Sequence, residues 1–250
     1  ANYVDFDLDR NIICKEGKIR TYCRPQAYQP LGDILYRNDG TGFADVTRAA
    51  GIELEGRGLG VALSDFDWDG DTDIYVANDQ MANHLWINQG DGRFAEEALW
   101  RGAALNALGQ AEAGMGVVAE DIDADGDWDL FMVHLSGETN TLYRNDRGYF
   151  RDATHELGLA VPGKPYTGFG TALFDYDNDG LLDVFIANGK VAPGDSLDNE
   201  RREPNLLLRG RPSGRFEEVP STGGALALLQ VSRGAAFGDY DNDGDVDILV

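Results

Sequence analysis

The stretch Asp65-Phe66-Asp67-Trp68-Asp69-Gly70-Asp71-Thr72-Asp73 decides how this chain is read, because its pattern returns three times. The other copies are Asp121-Ile122-Asp123-Ala124-Asp125-Gly126-Asp127-Trp128-Asp129, Asp175-Tyr176-Asp177-Asn178-Asp179-Gly180-Leu181-Leu182-Asp183 and Asp239-Tyr240-Asp241-Asn242-Asp243-Gly244-Asp245-Val246-Asp247. They start 56, 54 and 64 residues apart, so the chain is a repeat array as well as a carrier of acidic loops. Alternate carboxylates at loop positions 1, 3 and 5 can wrap one ion, because the side chains between them point away. Gly at position 6 permits a sharp left-handed turn at little cost. Position 7 needs only its backbone carbonyl, which lets Leu181 stand where Asp71, Asp127 and Asp245 stand. The Asp at position 9 closes the far side.

Four calcium sites follow as the expectation, since Ca²⁺ takes about six to eight hard oxygen ligands. Their ligands would be Asp65, Asp67, Asp69, Asp71 and Asp73; Asp121, Asp123, Asp125, Asp127 and Asp129; Asp175, Asp177, Asp179, Leu181 and Asp183; and Asp239, Asp241, Asp243, Asp245 and Asp247. No His or Cys enters a loop, which disfavours zinc. Magnesium keeps more of its water and rarely uses an all-protein cage. The spacing matches the first half of an EF-hand loop but lacks its closing Glu and flanking helices. Asp5-Phe6-Asp7-Leu8-Asp9-Arg10-Asn11-Ile12-Ile13 begins like a fifth loop, but Arg10 replaces the Gly and Ile13 the last Asp, so it is at best a weak cation site.

The 250 residues are 42% hydrophobic, enough for a substantial core, and carry a formal charge of −23. Four bound Ca²⁺ would leave about −15, still repelling nucleic-acid phosphates and anionic membranes. Basic patches with interleaved aromatics are missing, so nucleic-acid binding is not expected. Apolar runs are strand-sized, so neither membrane insertion nor a signal peptide is read from the sequence. Cys14 and Cys23 lie nine apart in a polar segment; two free thiols are one reading and a disulfide staple the other. Calcium loops suited to the outside of a cell favour the disulfide. There is no Asn-x-Ser/Thr acceptor.

Each loop sits in a longer unit. A Gly-rich run precedes it, as in Gly58-Leu59-Gly60-Val61-Ala62, Gly114-Met115-Gly116 and Gly168-Phe169-Gly170. A run apolar on both faces follows it, as in Ile74-Tyr75-Val76, Leu130-Phe131-Met132 and Val184-Phe185-Ile186. A third run (Leu85-Trp86-Ile87-Asn88, Leu142-Tyr143-Arg144-Asn145, Leu206 to Arg209) and a fourth around Phe94, Phe150 and Phe216 complete four antiparallel strands per unit. Sheets apolar on both faces need cover on both sides. Radial stacking of small four-stranded sheets supplies it, which predicts an all-β fold, a β-propeller of four-stranded antiparallel blades. A linear solenoid is the alternative. The units run about 1–76, 77–133, 134–186 and 187–250. Ala1-Asn2 aligns with Ala77-Asn78 and Ala187-Asn188, and Val250 aligns with Val76, so every unit is cut at one register. The chain then reads as an internal fragment of a larger, about seven-bladed ring; closure of a four-bladed ring is the other reading.

These elements, with Leu35-Tyr36-Arg37-Asn38-Asp39-Gly40-Thr41-Gly42-Phe43, resemble the FG-GAP/VCBS repeats of integrin alpha chains and bacterial surface proteins. Tyr3-Val4-Asp5-Phe6-Asp7 and Tyr22-Cys23-Arg24-Pro25 narrow the resemblance to the cartilage acidic protein and UnbV/ASPIC-type family. The resemblance implies calcium-binding blades, a secreted, extracellular or periplasmic location, and no catalysis from the repeats. Serine-hydrolase elbows, Walker loops and zincin helices are missing as well. The expected function is therefore a non-catalytic, calcium-binding module for adhesion or protein–protein interaction. A carbohydrate-binding or polysaccharide-lyase-like module is the alternative. A protein or glycan ligand is expected on the rim opposite the calcium loops, where the connection 188–204 is long; Trp86, Trp100 and Trp128 come into question as sugar platforms. Trp86, in a strand, fits the core better, and Trp100 is the better exposed of the three. His84, His134 and His155 are expected as ordinary hydrogen-bonded surface residues.

Overall fold

The doubly apolar runs are the middles of sheets in the computed structural model, which describes residues 1–21, 23–191 and 202–250. Three four-stranded antiparallel sheets follow one another along the chain. The first orders Gly58–Ser64, Asp73–Asn78, His84–Asn88 and Phe94–Glu96. The second orders Val117–Glu120, Asp129–Met132, Thr141–Asp146 and Tyr149–Asp152. In the third, Gly168–Phe174, Asp183–Asn188, Leu206–Gly210 and Phe216–Glu218 are neighbours in that order. Each acidic loop is the turn between the first and second strands of its sheet. Tyr36–Asn38 with Phe43–Asp45, and Ala236–Gly238 with Asp247–Leu249, form two-stranded hairpins at either end of the array. Among the described residues these two hairpins do not pair with each other, so no hydrogen-bonded ring closes.

Side-chain alternation explains why the second strands are apolar throughout. Leu130 and Met132 pack toward the first sheet in one cluster with Tyr75, Ala77 and Leu85. Phe131 and Val133, one residue out of phase, pack with Val184, Ile186, Leu206 and Leu208 of the third sheet. Phe185 and Ala187 in turn meet Phe237 of the C-terminal hairpin. Burying a Leu, Phe or Met side chain in this way contributes about 1.5–3 kcal/mol each. A polar second strand would leave its sheet uncovered on one face.

The Gly-x-Gly runs set how closely the sheets approach. A Cβ on Gly60 would collide with the Met115 carbonyl oxygen, one on Gly116 with the Phe169 carbonyl oxygen, and one on Gly170 with the backbone nitrogen of Ala235. The second glycine of each run is thus the point where one first strand touches the backbone of the next. Successive sheets are hinged along their first strands, which is the geometry that a blade-by-blade stack requires.

The N-terminal segment is anchored to this array where the Asn2 carbonyl accepts from Gly58 N–H and the Tyr3 hydroxyl donates to Asp79. Cys14 and Cys23 are disulfide-bonded with Cα atoms 5.1 Å apart, beside a hairpin pairing Cys14–Glu16 with Ile19–Thr21. Trp86 lies in the core at 2% exposure, whereas Trp100 stands 81% exposed on the helical turn Ala98–Arg101. Among the described residues no helix is long and apolar enough to cross a membrane. The middle of the long 188–204 connection, residues 192–201, lies outside the described residues.

Gly116→Ala should lower the melting temperature clearly, by an overpacking cost of about 1–3 kcal/mol. Gly42→Ala, where an added Cβ meets nothing within 4 Å, should stay within about 0.5 kcal/mol of the parent. Thermal unfolding of the two variants, side by side, checks this.

Candidate metal centres

The first Asp of every loop organises its backbone. Asp65 accepts from the backbone N–H groups of Asp69 and Gly70, at 3.1 and 3.0 Å. Asp121, Asp175 and Asp239 accept from the corresponding N–H pairs at Asp125 and Gly126, Asp179 and Gly180, and Asp243 and Gly244. Gly70, Gly126, Gly180 and Gly244 have φ between +85° and +96°, as the sharp turn requires. The loops also need a second left-handed residue that the sequence reading did not foresee. Position 4 has φ of +65° at Trp68, +61° at Ala124, +58° at Asn178 and +61° at Asn242. Asn at two of these positions is a usable signal, because Asn tolerates that conformation; Trp68 hid it.

The Asp at position 9 ties the loop to the third strand. Asp73 accepts from Phe66 N–H at 2.9 Å and from Asn88 N–H at 2.8 Å. Asp129 does the same with Ile122 and Asn145, and Asp183 with Tyr176 and Gly210. All three are fully buried. Burial pushes the carboxyl of Asp73 up to about 6 and that of Asp129 to about 7, against the lowering effect of the donated hydrogen bonds. Asp183 is raised by the same cause. A nearby divalent cation would reverse that penalty.

The Asp at position 3 shows what the site lacks in partners. Its outer oxygen is held by an arginine: Asp67 by Arg101 at 3.0 Å, Asp123 by Arg144, and Asp177 by Arg209 at 2.7 Å. Its inner oxygen, Oδ1, is buried and has no hydrogen-bond partner among the described residues in any of the three. The arginine comes from the third strand in the second and third sheets, at Arg144 and Arg209. In the first sheet Ile87 occupies that strand position, and Arg101 reaches in from the helical turn instead. The same contact is kept with a different supplier.

Carboxylate oxygens of positions 1, 3 and 9 lie within 4.8 Å of one another at Asp65, Asp67 and Asp73, at Asp175, Asp177 and Asp183, and at Asp239, Asp241 and Asp247. In the second loop the convergent set is Asp121, Asp123 and Asp125, with Asp129 outside it. Asp69, Asp179 and Asp243 at position 5 accept the N–H of position 7. At position 7, Asp127 Oδ2 accepts from Arg147 N–H and Asp245 from the Asn178 side chain, so these carboxylates also serve neighbouring elements. An all-oxygen, strongly anionic donor set with orphaned inner oxygens fits a hard divalent cation. Asp5, Asp7 and Asp9 do not belong to any such group: Asp5 accepts from Gln29 N–H, and Asp7 is paired with Arg10, which occupies the place of the turn glycine.

At the opposite ends of the second strands a different device repeats. Asn83 Oδ1 accepts from Asn78 N–H at 2.9 Å, Asn140 from His134 at 3.2 Å and Asn205 from Asn188 at 2.9 Å. Asp33 holds Asn2 in the same way at 2.7 Å. His134 therefore occupies a register that Asn fills elsewhere. It is 1% exposed and His84 is 7% exposed, which corrects the expectation of surface histidines; only His155 is exposed. Burial lowers His134 to about 4. Its folded form stays neutral, so the stability it carries is present above about pH 6.5 and is lost as pH falls toward 4. His134→Asn should flatten that part of the pH profile: the stability difference between variant and parent should shift by up to about 3 kcal/mol in favour of the variant between pH 7 and 4. Chemical denaturation across that range measures it.

An FG-GAP-like repeat matches residues 65–132 and 121–186, each span starting at the first Asp of a loop. Cartilage acidic protein 1 of Mus musculus is 30% identical over 196 residues, covering 74% of this chain and 29% of that protein. The Homo sapiens protein of that name is 29% identical over 260 residues, covering 96% of this chain and 37% of the relative. The chain thus spans well under half the length of the curated relatives it matches. Loops, sheet order and matches agree: the chain carries FG-GAP-like repeats and is related in sequence to cartilage acidic protein 1.

Proposed function

We propose that this chain is a calcium-stabilised, non-catalytic run of β-propeller blades that acts outside the cytoplasm as a protein-contact module. The observation that carries the reading is the unpartnered, buried Oδ1 of Asp67, Asp123 and Asp177, each beside further carboxylates. A buried anionic oxygen without a donor costs several kcal/mol, and a cation removes that cost. Asp65, Asp67, Asp69 and Asp73, with the position-7 carbonyl, would hold the first ion, and the equivalent residues of the other loops the remaining three. Calcium fits better than magnesium, because the donors are all protein oxygens.

The ions' work is structural. Each loop gathers repelling carboxylates at the tip of a hairpin whose strands form the inner half of a sheet. Neutralising the tip lets the hairpin close, and the closed hairpin presents its second strand to both neighbours. The disulfide and the acidic surface are in keeping with an extracytoplasmic setting. Similarity to cartilage acidic protein 1 supports the same assignment.

With free calcium at about ten times Kd, each site would contribute about 1.4 kcal/mol. Excess EDTA should therefore lower the melting temperature by about 10 °C or more, and added calcium should restore it. An unchanged melting curve after chelation would refute the proposal. Asp123→Asn should remove about one site from a calcium titration followed by calorimetry.

A further inference from the structure

Two of the four tryptophans border one cleft on the loop rim. An open cleft of about 340 Å³ between the first and second acidic loops is lined by Asp65, Trp68, Asp69, Gly70, Gly126 and Trp128. Trp68 is 56% exposed and Trp128 39%, so neither is core. Trp68 adopts φ +65°, a conformation that costs a bulky residue of order 1 kcal/mol or more. Its indole reaches across to the neighbouring loop, where a Cβ on Gly126 would lie 3.1 Å from the ring. Packing alone does not explain an exposed, strained indole, since Ala124 fills the same position of the second loop without one.

Charge identifies the occupant. In each flanking loop five carboxylates stand against one arginine, Arg101 or Arg144, and one calcium ion would still leave about −2 per loop. The chain as a whole carries −23. A cleft lined by two indoles and by Asp65 and Asp69 fits a flat cation: guanidinium stacks on aromatic rings and directs its N–H groups to carboxylates beside them. The Asp69 carboxylate accepts the Asp71 N–H on Oδ1, and its exposed Oδ2, where it is not turned to the ion, can take one arm of such a fork. Anionic ligands would meet repulsion from both loops.

We propose that the cleft between Trp68 and Trp128 receives an arginine side chain from a protein partner. This places a partner contact on the metal rim, in addition to any on the opposite one. It deepens the protein-contact reading and survives failure of the calcium assignment, because loops without calcium are more acidic still.

The test uses a capped arginine-containing tetrapeptide, titrated with and without calcium and followed by tryptophan fluorescence and calorimetry. Trp68→Asn and Trp128→Thr are suitable variants, since Asn178, Asn242 and Thr72 already occupy those loop positions. Each should keep the parent melting temperature and weaken peptide binding about five- to tenfold, with every carboxylate intact. Trp68→Phe should retain most of the affinity. Equal binding by the parent and the double variant would mean diffuse charge attraction only and would overturn the proposal. So would quenching and displacement by neutral oligosaccharides with no response to the peptide, which would assign the cleft to a glycan.

Discussion

Carboxylates held within 4.8 Å of one another repel by about 3 kcal/mol per pair at an effective dielectric of about 20, and the architecture depends on relieving that repulsion. Two means of relief are built into the chain. Backbone N–H groups converge on the Asp at positions 1 and 9 of each loop. Arginines take the outer oxygen of the Asp at position 3 in three loops. Neither reaches the inner oxygens of those position-3 Asp residues, where a cation would. The hairpin tip and the sheet behind it are thereby one electrostatic unit.

Closing the tips matters because of what the hairpins carry. Each second strand presents one set of side chains to the preceding sheet and the alternate set to the next, as Leu130 and Phe131 do. Glycines at 60, 116 and 170 bring successive first strands to backbone contact, so the sheets cannot slide apart without losing both clusters. A repeat of this kind is stabilised mainly by its neighbours, and a disturbance at one loop is felt across two interfaces.

Much of this was legible in the residues. The loop spacing, the hairpin turns and the doubly apolar second strands follow from short-range rules of coordination, turn geometry and alternation. Other features were not. His134 reads as a rim residue because it follows a strand, yet the Asn140 side chain and the neighbouring sheet enclose it. Arg101 gives no hint that it replaces the strand arginine missing at Ile87, since a helical turn brings it to Asp67 from 34 residues away. Trp128 reads as one of three candidate sugar platforms, and nothing local pairs it with Trp68, which stands beside it across two loops.

The sequence by itself determined the local chemistry: which oxygens gather, where the chain reverses, and which strands must be covered twice. Those properties depend on residues within about ten positions of one another, where backbone geometry leaves few options. Only the tertiary structure decided which oxygens stay without donors, which arginine serves which loop, and how two indoles from adjacent repeats come to face one cleft. Each of these is a contact across sheets, fixed by how closely the glycines allow neighbouring backbones to pack and by nothing in the order of residues alone.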